Sequence, residues 1–278
     1  GMGYVVVIPD YPGFGESSGI VHPYLITFPT VQSITDMLFA VREAVGNEFP
    51  GIQLKNEYYL IGYSQGGWAT LNLHKSIEQD YSDDFKLSGS VCGAGPYDLK
   101  MLFSDMIGSP TYNMPVYLGY IAYAYSTYGQ FTNSVGEIFN EPYSLKIEDL
   151  YDGMHTSAQI NEQLTISIPE LINADLISGF STSPDYSSIR QALEENSVGA
   201  WKTLIPLMLI HGGDDTNVNP LATEMMYDKL IGEGTSEEIC VKEIIPGLDH
   251  GKGIVPCMIK GLIFLKEIRD KKTAYFED

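Results

Sequence analysis

Short apolar or β-branched runs alternate with segments of helical periodicity along most of this chain. The runs are residues 4–8 (YVVVI), 57–61 (EYYLI), 87–92 (LSGSVC), 204–210 (LIPLMLI) and 239–245 (ICVKEII). Segments 30–45, 67–77, 221–231 and 254–268 read instead as helices. In the first, Val31, Ile34, Met37, Leu38, Val41 and Val45 fall three or four apart, on one helical face. Strands that alternate with helices in this way build a mostly parallel sheet covered on both faces. The expectation is an open α/β fold with a mostly parallel sheet of about five strands.

One stretch breaks the rhythm. Residues 97–201 show no clear strand–helix alternation and carry many tyrosines, among them Tyr112, Tyr117, Tyr120, Tyr123, Tyr125, Tyr128, Tyr143 and Tyr151. About a hundred structureless residues inside a compact domain are improbable. The segment is expected to be a helical cap inserted between the third and fourth strands, with residues 1–96 and 202–278 forming the core. No internal repeat or low-complexity tract interrupts this plan.

Composition removes several function classes. The chain has 278 residues, 44% hydrophobic, enough to bury a sizeable core. Its 36 acidic and 16 basic residues leave a formal charge of −20. This argues against nucleic acid as a partner, because phosphates need clustered Lys and Arg. No apolar run reaches the ~20 residues of a transmembrane helix, and the most apolar stretch, residues 114–125, is too short to span. No signal peptide is read at the start, and Gly1 before Met2 looks like a tag remnant. Cys92, Cys240 and Cys257 form no CxxC and read as free thiols, the first two buried in strands. They do not fix the redox compartment, and a homo-oligomer is compatible with all of this.

The chemistry centres on Gly62-Tyr63-Ser64-Gln65-Gly66, a G-x-S-x-G match between a strand run and a helix. A sharp strand-to-helix turn is where a nucleophilic serine is presented, and the helix N-terminus beneath it favours developing negative charge. Serine alone is a poor nucleophile and needs a base that is itself oriented by an acid. Two later loops, both following strands at the carboxyl edge of the sheet, supply candidates. The run HGGDDTNVNP (211–220) offers Asp215, four residues after His211, ahead of Asp214, which reads as a turn or surface residue. The run GLDHG (247–251) offers His250, with Asp249 beside it as a third choice of acid. His211 reads as a loop organiser rather than a metal ligand, His74 as a packed polar residue, and His22 as a residue that could line a pocket.

Residues 3–17 (GYVVVIPDYPGFGES), the run GYSQGG, and the HGGDDTNVNP and GLDHG loops together resemble the α/β-hydrolase superfamily. The stretch PDYPGFGESSGIVHPYL, then the serine turn, then a long cap, looks most like its secretory-lipase branch, including bacterial members. The resemblance spans about residues 3–268. It implies the chain order Ser64, Asp215, His250, an esterase or lipase activity, and an exported protein. It also implies an oxyanion hole made by the backbone N–H of Gln65 and by Asp10 of the PDY-type turn. An Asp side chain can donate there only if protonated; otherwise its backbone must serve. One departure stands out. About three strands that usually precede residues 4–8 are absent, one of which lies between that strand and the nucleophile strand, so unpaired backbone groups are expected there.

The expected activity is hydrolysis of carboxylic esters through an acyl-enzyme, with no metal or organic cofactor. The substrate would be a small ester, apolar or acyl-bearing to suit the Tyr-rich cap. A serine peptidase on the same scaffold, or a shortened and weakly active or non-catalytic relative, are the alternatives.

Overall fold

The computed structural model describes residues 3–49 and 51–274. Four parallel strands make one sheet in the order β1 (Tyr58–Tyr63), β2 (Leu87–Gly93), β3 (Leu207–Gly212) and β4 (Cys240–Ile245). Strands in sequential order with parallel pairing require a crossover each time. These are α2 (Gln65–Asp80), the long segment between β2 and β3, and α6 (Leu221–Gly232). Helix α1 (Thr27–Glu48) precedes β1 and α7 (His250–Ala274) follows β4.

Alternation along each strand sets the two layers. In β3, Leu207 and Leu209 join one apolar cluster with Leu71 and Ile77 of α2 and Met226 and Leu230 of α6. Met208 and Ile210 point the other way and pack with Val91 of β2 and Cys257 and Leu265 of α7. Strands β2 and β3 are buried throughout, as strands covered on both faces must be. All three cysteines are buried and unpaired.

Between β2 and β3 the chain is helical. It contains α3 (Leu99–Gly108), α4 (Val116–Thr127) and α5 (Ser187–Glu195), with five helical segments of four to seven residues between residues 135 and 179. Its apolar side chains are continuous with the core over α1 and α2. Asn196, just past α5, fastens the two together. Its amide oxygen accepts from the Thr27 backbone N–H at 2.8 Å, and its carbonyl accepts from Trp68 Nε1 at 3.1 Å.

The sheet has four strands, not five: the run 4–8 does not join it. Val5, Val6 and Ile8 are 50%, 75% and 84% exposed, and Tyr4 lies edge-on to Tyr59. β-branched residues favour a strand only where a ladder and a packed face receive them. No strand among the described residues stands beyond β1, and the run stays outside the sheet. Strand β1, an edge, is only half-buried. Among the described residues no helix is long and apolar enough to cross a membrane.

Candidate active site

Ser64 occupies the turn between β1 and α2, with φ +57° and ψ −122°. Positive φ is unusual for a residue with a Cβ and is held here by its surroundings. The Ser64 backbone N–H donates to the Gly93 carbonyl at the end of β2, at 2.8 Å. A Cβ at Gly62 would come within 2.1 Å of the Gly66 carbonyl oxygen, and one at Gly67 within 2.3 Å of the Gly93 carbonyl oxygen. Gly66, the last glycine of G-x-S-x-G, faces open space. The close approach therefore depends on Gly62 and Gly67. Beyond Ser64, the first amides of α2 have no intrahelical acceptor and form an electropositive end.

His250 is the first residue of α7. Its Nε2 stands 2.9 Å from Ser64 Oγ, and its Nδ1 stands 2.6 Å from Asp215 Oδ2. The backbone around it is tightly fitted. Tyr63 donates its hydroxyl to the His250 carbonyl at 2.7 Å, and a Cβ at Gly253 would come within 2.6 Å of that hydroxyl oxygen. On the other side, Gly212 at the end of β3 lets the loop after β4 pass close: a Cβ there would lie 2.4 Å from the Leu248 carbonyl oxygen. Three strand ends thus bring the hydroxyl, imidazole and carboxylate into one line.

The Asp215 side chain is fully buried and fully used. Oδ1 accepts from the backbone N–H of Asn217 and of Val218, at 2.9 and 3.0 Å. Oδ2 accepts from His250 and from His211 Nε2, the latter at 3.1 Å. Burial alone pushes this carboxyl up, but the bonds from His211, His250 and the backbone outweigh it and hold the group well below the usual carboxylate range. His211 Nε2 faces two acceptors, Asp215 and the Val218 carbonyl, so it carries the proton, and Nδ1 accepts from the Thr223 hydroxyl at 2.7 Å. Of the other two aspartates, Asp214 is exposed. Asp249 turns away to accept from the backbone N–H and Nζ of Lys252.

Gln65 follows Ser64 at the start of α2, and its side-chain amide reaches His22 Nε2 at 2.8 Å. Asp10 is exposed, on a turn whose Gly15 comes so close that a Cβ there would lie 2.6 Å from Asp10 Oδ2. His74 is buried between Ser90 and Thr203. The contacts of Tyr63 and His22 had no signal in the sequence, since their partners lie 187 and 43 residues away.

The model of the family described as secretory lipase matches residues 1–250. Among solved structures, a protein of Legionella pneumophila assigned as a hydrolase is 26% identical, with a TM-score of 0.85 over 96% of this chain and 70% of its own. The rice cell wall degrading esterase LipA from Xanthomonas oryzae is 22% identical, with a TM-score of 0.79 over 94% and 69%. Candida antarctica lipase A in its closed state is 15% identical, with a TM-score of 0.66 over 90% and 56%. The last two likenesses are of fold alone. No curated protein sequence matches.

Proposed function

This chain belongs to the secretory lipase family, an α/β-hydrolase fold of ester hydrolases, and from that premise we propose that it cleaves carboxylic esters by acyl transfer to Ser64. The observation that carries the reading is the unbroken line from Ser64 Oγ to His250 to Asp215, at 2.9 and 2.6 Å. His250 Nε2 takes the hydroxyl proton as Oγ bonds to the ester carbonyl carbon. Asp215, acceptor-only when ionised, keeps the remaining ring proton on Nδ1 and stabilises the imidazolium. His250 then returns the proton to the leaving alkoxide as the tetrahedral intermediate collapses to the acyl-enzyme. Water, deprotonated by the same imidazole, releases the carboxylic acid and restores Ser64.

The backbone N–H of Gln65 suits the role of one oxyanion donor, with the turn at Asp10 as the second. Each such donor is worth about a hundred- to a thousand-fold in rate. Donation from this second site would come from the backbone of the turn, on which the Asp10 side chain is exposed. Residues 97–201 serve as the cap. Support comes from Tyr112, whose hydroxyl donates to the Asn217 carbonyl at 3.4 Å, in the loop that carries Asp215. The rings of Tyr24, Tyr117 and Tyr120, packed together beside His22, suit an apolar acyl group. Export from the cell, as the family's description implies, belongs to the same proposal.

A panel of p-nitrophenyl esters set against aminoacyl-nitroanilides tests the reading. Ester turnover that exceeds anilide turnover and disappears in Ser64→Ala is the expected result. Comparable anilide turnover would replace ester hydrolysis with peptide hydrolysis.

A further inference from the structure

We infer that His22 is a positioning residue for the acyl-transfer reaction, clamping the turn that bears Asp10 to Gln65 and so setting the gap between the two sides of the oxyanion site. The inference rests on the acyl-transfer reading given above. His22 lies twelve residues after Asp10 at the far end of one compact loop. That loop is closed on itself. Gly13 N–H donates to Ser17 Oγ at 3.0 Å, Ser17 Oγ donates to the Phe14 carbonyl at 2.8 Å, and His22 Nδ1 lies 2.7 Å from the Pro12 carbonyl. Gly13, at φ +94°, presses against the His22 backbone so closely that a Cβ would meet its N and Cα at 2.5 Å. The loop and His22 therefore move as one piece.

The other ring nitrogen makes the bridge. A carbonyl oxygen can only accept, so Nδ1 carries the proton and Nε2 of the neutral ring holds a lone pair. The Gln65 side-chain amide stands 2.8 Å from that lone pair and donates to it. The reverse arrangement, with the amide oxygen turned inward, needs a second ring proton. The ring is 4% exposed and enclosed by Tyr11, Phe14, Tyr24 and Tyr120, and burial pushes the imidazole down, against that proton. Gln65 is also the residue whose backbone N–H follows the nucleophile. One hydrogen bond thus ties the Asp10 loop directly to the serine turn. The end of helix α4 and the residue after it steady the same junction: Tyr125 donates to the Leu25 carbonyl at 2.8 Å and Tyr128 to the Val21 carbonyl at 2.6 Å.

A residue that sets the spacing of donors acts on the transition state more than on substrate binding. The test compares His22→Phe, which keeps an aromatic ring but loses both polar contacts, with Gln65→Leu, which keeps the backbone N–H, and with the double variant. Turnover of p-nitrophenyl butyrate is measured after circular dichroism has verified folding. Each single variant is expected to lower kcat about ten- to a hundred-fold, with KM changed by less than about threefold. The double variant is expected to be no worse than the poorer single one by more than about threefold, because both remove the same bond. His22→Gln, whose amide oxygen can accept from Gln65, is expected to recover part of the loss. If His22→Phe fails to fold, the half-buried Gln65→Leu carries the same expectation alone. Unchanged kcat in the folded variants, or losses that multiply in the double variant, overturn the role of His22. Absence of ester turnover in the wild type instead overturns the acyl-transfer reading beneath it.

Discussion

Replacing Asp215 by Asn changes one atom but should reverse the hydrogen-bond logic of the whole line. Oδ1 of Asp215 is held by two backbone N–H groups, so the Asn carbonyl oxygen will take that place. The new NH2 group must then stand where Oδ2 was, 2.6 Å from His250 Nδ1 and 3.1 Å from His211 Nε2. Facing a donor, His250 is driven to the tautomer with its proton on Nε2, and that nitrogen can no longer accept from Ser64. Loss of the correct tautomer in a triad costs about four powers of ten in kcat, or about 5.5 kcal/mol in barrier height. D215N should therefore show a kcat about 10⁴-fold lower for a p-nitrophenyl ester, with KM nearly unchanged, while D214N stays within about threefold of the wild type. Stability should shift too. The Asp215 carboxyl is held below its unfolded value, so its contribution is complete above about pH 4 and fades as pH falls through the lower folded value. The stability gap between wild type and D215N, measured by urea unfolding, should be widest near pH 7 and narrow in acid. A kcat for D215N within tenfold of the wild type, or equal losses in D214N and D215N, would refute the reasoning.

Other expectations follow from the same packing. Glu78 accepts from Trp201 Nε1 at 2.7 Å and from the Leu204 N–H at 3.0 Å. Burial pushes its carboxyl up, yet these bonds and those from His74 and Thr203 hold it at about 2. Glu78→Gln should cost about 2 kcal/mol of unfolding free energy at pH 7, a difference that fades below about pH 4 and vanishes near pH 2; a pH-independent difference in urea titrations would contradict this. Gly67→Ala pushes a methyl group into the Gly93 carbonyl oxygen and should lower Tm by 10 °C or more or prevent folding. Gly66→Ala enters open space in α2 and should leave Tm unchanged or slightly raised, since Ala favours helix by about 1 kcal/mol. Equal Tm losses in the two alanine variants would show that the motif glycine, and not the close approach, governs the turn.

Much of the sheet was legible because its strands are short apolar or β-branched runs, the central two buried on both faces. The runs beginning at 57, 87, 204 and 239 became β1 to β4 with ends shifted by at most three residues. Residues 4–8 misled for a physical reason: their composition suits a strand, but pairing depends on a neighbour that a local pattern does not contain. The insert was legible as helical but not in detail, because helices of four to seven residues are held by tertiary packing rather than by periodicity. At the site, the spacing around Ser64, Asp215 and His250 pointed to residues that the fold brings within hydrogen-bond distance. Spacing from His211 ranked Asp215 ahead of Asp214, but the physical cause is visible only in three dimensions, in the two backbone amides that turn the Asp215 carboxylate inward. The tie between His22 and Gln65 was equally hidden, since neither residue type nor spacing marks a contact of that kind.

The central claim is that the hydroxyl of Ser64 becomes a nucleophile only because His250 can take its proton. Rapid quenching with p-nitrophenyl acetate, followed by peptide mass spectrometry, tests it most directly. The account predicts one acetyl group per chain on the peptide containing Ser64 during turnover, and its loss in a folded His250→Ala variant. Acetylation at another residue, or undiminished acetylation of Ser64 without the imidazole, would contradict it.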